Sequence, residues 1–191
     1  MSTEIEICNS ALAKIGVEPI ASFSEESKAA RLCANQYPLI RDKLLQDHYW
    51  NFAIKTEQLA QLAGGSSIEG YRFALPTDYY QAIRLTSRKP YKIESGVLIV
   101  KEEAANLKYV WKNHNTFSYT PLFKEALASA LAFDLSYSLV QSVSLRDRLE
   151  RTAFDAKLNA ASVDAQEDYM DNLYGDDFIE SRYGEVQSFN K

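Results

Sequence analysis

The sequence predicts an α+β fold: an antiparallel four-helix bundle with a small inserted antiparallel β-sheet and an extended C-terminal arm. Apolar residues recur at three- and four-residue steps in both the N-terminal and C-terminal parts, as in helices that pack on one face. Between residues 64 and 119 the apolar period shortens towards two, which is typical of half-buried strands. Residues 176–191 follow neither period, so we expect them to form the arm.

The N-terminal helices of the bundle are assigned to residues 1–63. A first helix is predicted over residues 3–15, and Gly16 is a natural stop. A second helix is predicted to start at Ser24, where the Ser-Glu-Glu-Ser run supplies a cap and acidic residues for the first turn. Pro38 lies within it and removes one backbone donor, so we expect a kink, or two helices in series, between residues 35 and 39.

The inserted β domain is assigned to residues 64–119. It opens with a predicted loop at residues 64–67 (GGSS). Short strands are predicted over residues 71–75, 81–86 and 106–112. Two more, over residues 91–94 and 97–100, flank Ser95-Gly96, which is a hairpin signal.

The C-terminal helices are assigned to residues 120–174, and the arm to residues 175–191. Pro121 suits the first turn of a helix capped by Thr120. Ser144 is predicted to cap the last helix and Gly175 to end it. Apolar residues at steps of three and four form the predicted packing seam of that helix: Leu145, Leu149, Ala153, Ala156, Ala160 and Val163.

Composition and charge exclude several classes of protein. No run of 18 apolar residues is present, so no membrane span is expected. The polar, acidic start (MSTEIEICNS) does not resemble a secretory signal, and the two cysteines lack metal-binding or redox spacing. We therefore expect synthesis in a reducing cytoplasm. The net charge of −5 is concentrated at the end, where residues 164–191 hold eight acidic and two basic residues.

Catalytic patterns are sparse in the sequence. The two histidines, His48 and His114, have no further ligands at metal-binding spacing, so neither a metal nor a cofactor is expected. The carboxylate pairs Glu102–Glu103 and Asp176–Asp177 lie in polar sequence, with no apolar setting to raise one pKa. The sequence therefore predicts a protein that is not an enzyme.

A basic stretch covers the predicted sheet. Residues 72–112 contain eight basic and four acidic residues. Such a surface suits an acidic protein partner or, as an alternative, nucleic-acid phosphates with bases stacked on tyrosines. Lysines and arginines on a small sheet also discourage edge-to-edge pairing. The candidate partner contacts are Arg84, Arg88, Lys89, Tyr91 and Lys92.

Several motifs, in a definite order, resemble one protein family. Residues 37–45 read YPLIRDKLL, Trp50-Asn51-Phe52-Ala53 follows, and then Leu59-Ala60. Further matches are ALAKIG at residues 11–16, the pattern Tyr71-x-x-x-Leu75-Pro76-x-Asp78, and an Ala/Leu-rich helix from Phe123 that precedes a charged helix. Together they resemble the tail tubular protein A family and related head-to-tail adaptors of podoviruses, over nearly the whole chain.

The resemblance implies a structural virion protein at the head–tail interface of a tailed bacteriophage. Family members form a homo-oligomeric ring, commonly a dodecamer, beneath the portal protein. The ring extends the DNA channel, through which viral DNA passes without sequence-specific binding, and it is the platform for the tail nozzle or tail-tube protein. Such a ring is assembled in the host cytoplasm. A siphophage connector or a gene-transfer-agent adaptor would look much the same.

Roles for individual residues follow from the resemblance as expectations. Trp50 and Phe52 anchor the corner where a helix turns towards the sheet. The acidic, aromatic C-terminal arm binds the portal, with Asp176, Asp177, Phe178, Tyr183 and Phe189 as its candidate contacts. Two alternatives from other classes remain: a virion-borne cell-wall hydrolase, which requires two carboxylates in a cleft, and a nucleic-acid-binding module.

Overall fold

The protein is described here from a computed structural model that covers residues 3–66 and 69–167. The helices are α1 (Glu4–Lys14), α2 (Lys28–Asp47), α3 (Pro121–Val140) and α4 (Val143–Glu167). The strands are β1 (Ile54–Gln58), β2 (Gln61–Ser66), β3 (Gly70–Ala74), β4 (Tyr79–Leu85), β5 (Tyr91–Glu94), β6 (Val97–Val100) and β7 (Asn106–Trp111).

Side-chain caps start the helices where the sequence places a hydroxyl. The Thr3 hydroxyl accepts a hydrogen bond from the Glu6 backbone N–H at 3.2 Å, and the Glu6 carboxylate accepts from the Thr3 N–H at 2.8 Å. Thr120 caps α3 by accepting from the Phe123 N–H at 3.2 Å, as predicted. Ser142, rather than Ser144, accepts from the Leu145 N–H at 3.3 Å at the start of α4.

The second helix differs from its prediction in two respects. It starts at Lys28 with Ser27 as its cap, because Ser27 accepts from the Ala30 N–H, so the start at Ser24 is wrong. It then continues without interruption through Pro38 to Asp47, so the alternative of two helices in series is also wrong. One missing backbone donor does not end a helix whose apolar face is buried on both sides of the proline, by Cys33 and Tyr37 before it and Leu44 after it.

Helix α3 lies at the centre of the helical layer. It packs against α1, α2 and α4, whereas α1 and α2 make few contacts with each other. Its buried residues are mainly alanine and leucine, and the small alanines allow close approach of the neighbouring helices. Within the predicted seam of α4, Leu149 and Ala160 are buried, but Val163 is exposed and Asp164 is buried beside it.

The strands form two antiparallel sheets rather than one. The central sheet has the order β1-β7-β4 and the outer sheet the order β2-β3-β6-β5. The predicted four-helix bundle with one small inserted sheet is therefore wrong: within the described residues, four helices accompany sheets of three and four strands. The predicted arm lies outside the described residues. Strands β1 and β2 lie in the segment expected to be helical, and the expected loop at residues 64–67 partly belongs to β2.

The central sheet buries both of its faces. On one face Val110 packs with the helical core around Trp50, Leu127 and Phe123. On the other face Leu107 and Tyr109 pack with residues of the outer sheet, among them Phe73 and Leu98. The molecule thus has three layers: helices, central sheet and outer sheet.

The predicted hairpin is confirmed. Strands β5 and β6 pair in antiparallel register from Tyr91↔Val100 to Glu94↔Val97. Ser95 and Gly96 connect them with φ angles of 49° and 77°. Two consecutive positive φ angles are typical of the tight turns whose twist matches paired strands.

Candidate partner-binding surfaces

The corner between α2 and β1 is built around Trp50. This side chain is fully buried, and its indole N–H donates to the Leu44 carbonyl at 2.8 Å. Its ring lies 4.8 Å from that of Phe123 and 6.0 Å from that of Phe52, between ring centroids. Phe52 also contacts Phe123 and Tyr119, so both predicted corner residues lie in one aromatic cluster that joins α3 to the start of β1.

The C-terminal end of α4 is tied to the same corner by Asp164. Its side-chain carboxylate, 5% exposed, accepts from the Asn51 backbone N–H at 3.2 Å and lies 3.3 Å from Nε2 of His48. The Asn51 side chain in turn donates to the Asp164 carbonyl at 2.8 Å. Burial raises the pKa of Asp164, because desolvation outweighs these favourable contacts.

Arg41, in the first family-like motif, is a buried charge. Its guanidinium donates to Asp42 at 2.8 Å and to Glu4 of α1 at 3.4 Å, and it lies over the Tyr37 ring. Burial opposes the charged form, but Asp42 outweighs this effect and raises the pKa of Arg41. The Arg41–Glu4 ion pair thus joins α2 to α1, and Asp42 supplies a second carboxylate to the buried guanidinium.

A polar cluster ties β1 and β7 to Asp78, which precedes β4. The fully buried Tyr109 hydroxyl lies 2.9 Å from Asp78 and 3.0 Å from Glu57. The Lys55 ammonium lies 2.7 Å from the same Asp78 and 3.7 Å from the centroid of the Trp111 ring. Burial alone would raise the pKa of Asp78, but Lys55 and Tyr109 outweigh it and lower that pKa.

The five predicted basic and aromatic contacts fall at two places. Lys89, Tyr91 and Lys92 line one open groove beside β5. Arg84 lies in β4, half-buried, and Arg88 lies in the turn after β4 with a φ angle of 56°. Neither arginine lines the groove.

We call this depression the sheet groove. It has a volume of about 630 Å³ and an apolar floor that includes Tyr91, Ile99 and Val100. Lys101, from the end of β6, adds a third ammonium that was not among the predicted contacts. It was missed because β6 pairs with β5 and brings Lys101 beside residues that are ten positions away in sequence.

A second depression, the helix groove, lies between α2 and α4 over α3. It has a volume of about 250 Å³, and Ile40, Phe133 and Phe154 are among its apolar lining. Phe154 is 65% exposed, and Leu158, one turn later on α4, is 59% exposed. Lys157 of α4 pairs with Asp47 of α2 at 2.9 Å beside the groove. The sequence pattern of α4 did not predict these exposed side chains, because it identified only the predicted packing seam.

The predicted arm residues Asp176, Asp177, Phe178, Tyr183 and Phe189 lie outside the described residues, as does Gly175. Within residues 3–66 and 69–167 no group of three or more His, Cys, Asp or Glu side chains is arranged to hold a metal ion. Over the same residues no helix has the length and apolar character needed to cross a membrane. Cys8 and Cys33 are free and fully buried, and the hydrogen bond between their thiols, together with burial, raises the pKa of Cys8.

Comparison with known proteins gives no family for this chain. No protein-family model matches the sequence, and no curated protein matches it.

Proposed function

We propose that this protein is a structural component of a tailed bacteriophage that forms a ring between the portal and the tail. The ring extends the DNA channel and carries the tail nozzle or tail tube. The observation that carries the proposal is the resemblance to the tail tubular protein A family, whose motifs occur in order along nearly the whole chain.

The positions of these motifs support a scaffold role for them. Arg41 joins α2 to Glu4 of α1, and Trp50 and Phe52 fill the junction of α3 with β1. Asp78 joins the central strands through Tyr109. The motif residues thus hold the three layers together, and the surfaces that meet partners are formed by other residues.

The helix groove suits one side of the contact between subunits of a closed ring. A ring repeats one head-to-tail contact, so each subunit needs two unlike surfaces that fit each other. The helix groove, with Phe154 and Leu158, is one apolar surface that a single subunit leaves exposed. The sheet groove is lined by different residues from a different layer, so it is free for a partner on the tail side.

The two ends of the assembly are assigned as follows. Residues 176–191 bind the portal, with aromatic side chains that supply apolar contact and acidic ones that supply charge. Lys89, Tyr91 and Lys92 contact the nozzle or tail-tube protein. Viral DNA passes through the ring without sequence-specific binding.

The proposal is tested by electron microscopy of the full-length protein mixed with purified podoviral portal rings. We expect a second ring of about twelve copies, as the resemblance implies, bound to one end of the portal. A chain that lacks residues 176–191 should stay folded and fail to dock. If the full chain joins no portal ring, the proposal is wrong. Salt-dependent binding of free DNA instead would favour the nucleic-acid module.

A further inference from the structure

The sheet groove crosses the end of the outer sheet, and its lining comes from β3, β6, β5 and the residues beside them. Among the described residues, β5 is the last strand of this sheet and pairs with β6. The groove beside the four residues of β5 has a volume of about 630 Å³, which is large enough for several side chains. Tyr91 and Ile99 are half-buried there, so apolar surface remains available to a further chain.

The groove carries more positive than negative charge. Lys89, Lys92 and Lys101 line it, against Glu69 and Glu94. Lys89 pairs with Glu102 at 2.9 Å. Within the described part of the chain neither Lys92 nor Lys101 has an ion-pair partner, and both are exposed. Two ammonium groups beside an apolar floor favour a ligand that combines carboxylates with an aromatic ring.

The C-terminal segment of the same chain has this composition. Residues 168–191 contain six acidic and two basic residues together with five aromatic ones. The densest part is Asp176-Asp177-Phe178-Ile179-Glu180, in which two carboxylates precede the phenylalanine and one follows it. Such a sequence matches lysines placed around an apolar floor.

The described part of the chain ends at Glu167, just after the residue that holds the end of α4 to the corner beside Tyr49. Asp164 of α4 is bound to His48 and Asn51, which flank Tyr49. Burial raises the pKa of Tyr91, and Tyr49 lies close enough to Tyr91 to add to this effect. Phe178 is eleven residues beyond Glu167, and an extended segment of that length spans up to about 35 Å.

We propose that residues 168–191 dock in the sheet groove of their own chain, with Phe178 on Tyr91 and Ile99 and the flanking carboxylates beside Lys92 and Lys101. A tethered segment has an effective concentration near the millimolar range, so modest contacts suffice to keep it bound. The docked segment covers Lys89, Tyr91 and Lys92. This deepens the proposed function, on which it rests: the segment proposed to bind the portal occupies the surface proposed to contact the tail-side protein.

Paramagnetic broadening in the full-length protein tests the contact. Cys8 and Cys33 are fully buried, so a nitroxide can be attached selectively to a Ser181→Cys variant, three residues after Phe178. We expect the amide signals of Tyr91, Lys92 and Lys101 to broaden, and those of Lys14 and Glu125, which pair on the far helices, to stay sharp. The broadening should be lost at high salt and in the Lys92→Glu/Lys101→Glu double variant.

The matched control reverses two exposed cations elsewhere, Arg148→Glu and Arg151→Glu on α4, and should retain the broadening. Sharp groove signals in the labelled chain at low salt would overturn the inference, as would equal broadening in the Lys92→Glu/Lys101→Glu variant. Broadening that arises between labelled and unlabelled chains in a mixture would place the segment on a second copy and overturn the same-chain assignment. No portal is present in these measurements, so a failed ring proposal and a failed docking proposal give different results.

Discussion

The hydroxyl of Tyr109 lies 2.9 Å from Oδ1 of Asp78, and this contact joins the central strand β7 to the segment that leads into β4. Tyr109 is fully buried, whereas Asp78 keeps contact with solvent and with Lys55. The phenol is thus satisfied by a carboxylate that is itself held by a cation.

Replacement of this phenol should be costly. In Tyr109→Phe the one O–H donor that Asp78 and Glu57 share is lost, and a hydrogen bond to a charged group contributes about 1–3 kcal/mol. We expect the free energy of unfolding in urea to fall by about that amount. An unchanged urea midpoint and slope would show that this cluster does not stabilise the central sheet.

Tyr37 is the matched control for this effect. It is almost fully buried between the helices, and its hydroxyl has no hydrogen-bond partner among the described residues. Removal of an unsatisfied buried hydroxyl costs little or is favourable, so Tyr37→Phe should leave the free energy of unfolding unchanged or raise it slightly. The same urea titration measures both variants, and a loss as large as that in Tyr109→Phe would contradict the contrast.

Gly70 is required at the start of β3. Its φ angle is +101°, and an added Cβ would lie 2.7 Å from Cγ2 of Ile99. Gly96, with a φ angle of +77° and open space around it, tests strain without overlap. We expect Gly96→Ala to cost about 1 kcal/mol and Gly70→Ala up to about 3 kcal/mol.

A double-mutant cycle separates the two causes at Gly70. Ile99→Ala removes the atom that the new Cβ would meet, so Gly70→Ala should cost less in that background than in the wild-type protein. Equal costs in the two backgrounds would assign the whole effect to the backbone angle.

Asp164 should make stability depend on pH. Its pKa is raised by burial, so the folded state binds the proton more tightly than the unfolded state does. Stability therefore rises as pH falls from neutral through the folded pKa, and the gain is complete below the unfolded pKa, about 3.9. His48 and Glu167 also face this carboxylate, so the test must keep both of them unchanged.

The comparison is with Asp164→Asn, which keeps the size of the side chain and an oxygen that accepts from Asn51. We expect the free energy of unfolding of the wild-type protein, relative to this variant, to increase as pH is lowered from 7 to 4. A constant or decreasing difference in urea titrations over that range would contradict the raised pKa.

The exposed face of α4 should matter for assembly and not for folding. Phe154 and Leu158 are mostly exposed, so Phe154→Ser/Leu158→Ser should change the free energy of unfolding by less than about 1 kcal/mol. The same variant should lose ring formation on portals, as measured by sedimentation and electron microscopy. Phe117→Ser is the control, because Phe117 is 62% exposed but lies in the turn before α3. Intact rings in the α4 variant would remove the helix groove from the proposed subunit contact.

The helices and the β5–β6 hairpin could be predicted because their signals are local. Thr120 before Pro121 marks the start of α3, and Ser95-Gly96 marks the hairpin turn. Strand β1 gave no such signal, since Ile54–Gln58 contains one apolar residue and its last three residues are exposed. Strand β2 contains Gly64 and Gly65, and two consecutive glycines predict a loop rather than a strand.

The division into two sheets depends on contacts between distant residues. Val110 and Tyr109 are neighbours in sequence but belong to different cores, and no local period shows which face meets helices and which meets strands. The composition of the sheet groove and of the corner likewise depends on contacts between residues that are distant in sequence. Lys89, Tyr91 and Lys92 were predicted from one stretch of sequence, whereas Lys101 in the sheet groove and Asp164 at the corner are brought there by pairing and packing.

The strands of the outer sheet come from two segments that lie in sequence between strands of the central sheet. Strands β2 and β3 lie between β1 and β4 in sequence, and strands β5 and β6 lie between β4 and β7. Each of these segments begins after one strand of the central sheet and ends before another. An exchange of β5 and β6 for the corresponding segment of another protein would thus alter the surface that carries Lys92 and Ile99 while the helical layer keeps its own attachment to β7 through Val110. The outer layer thus consists of two insertions into the chain of the central sheet.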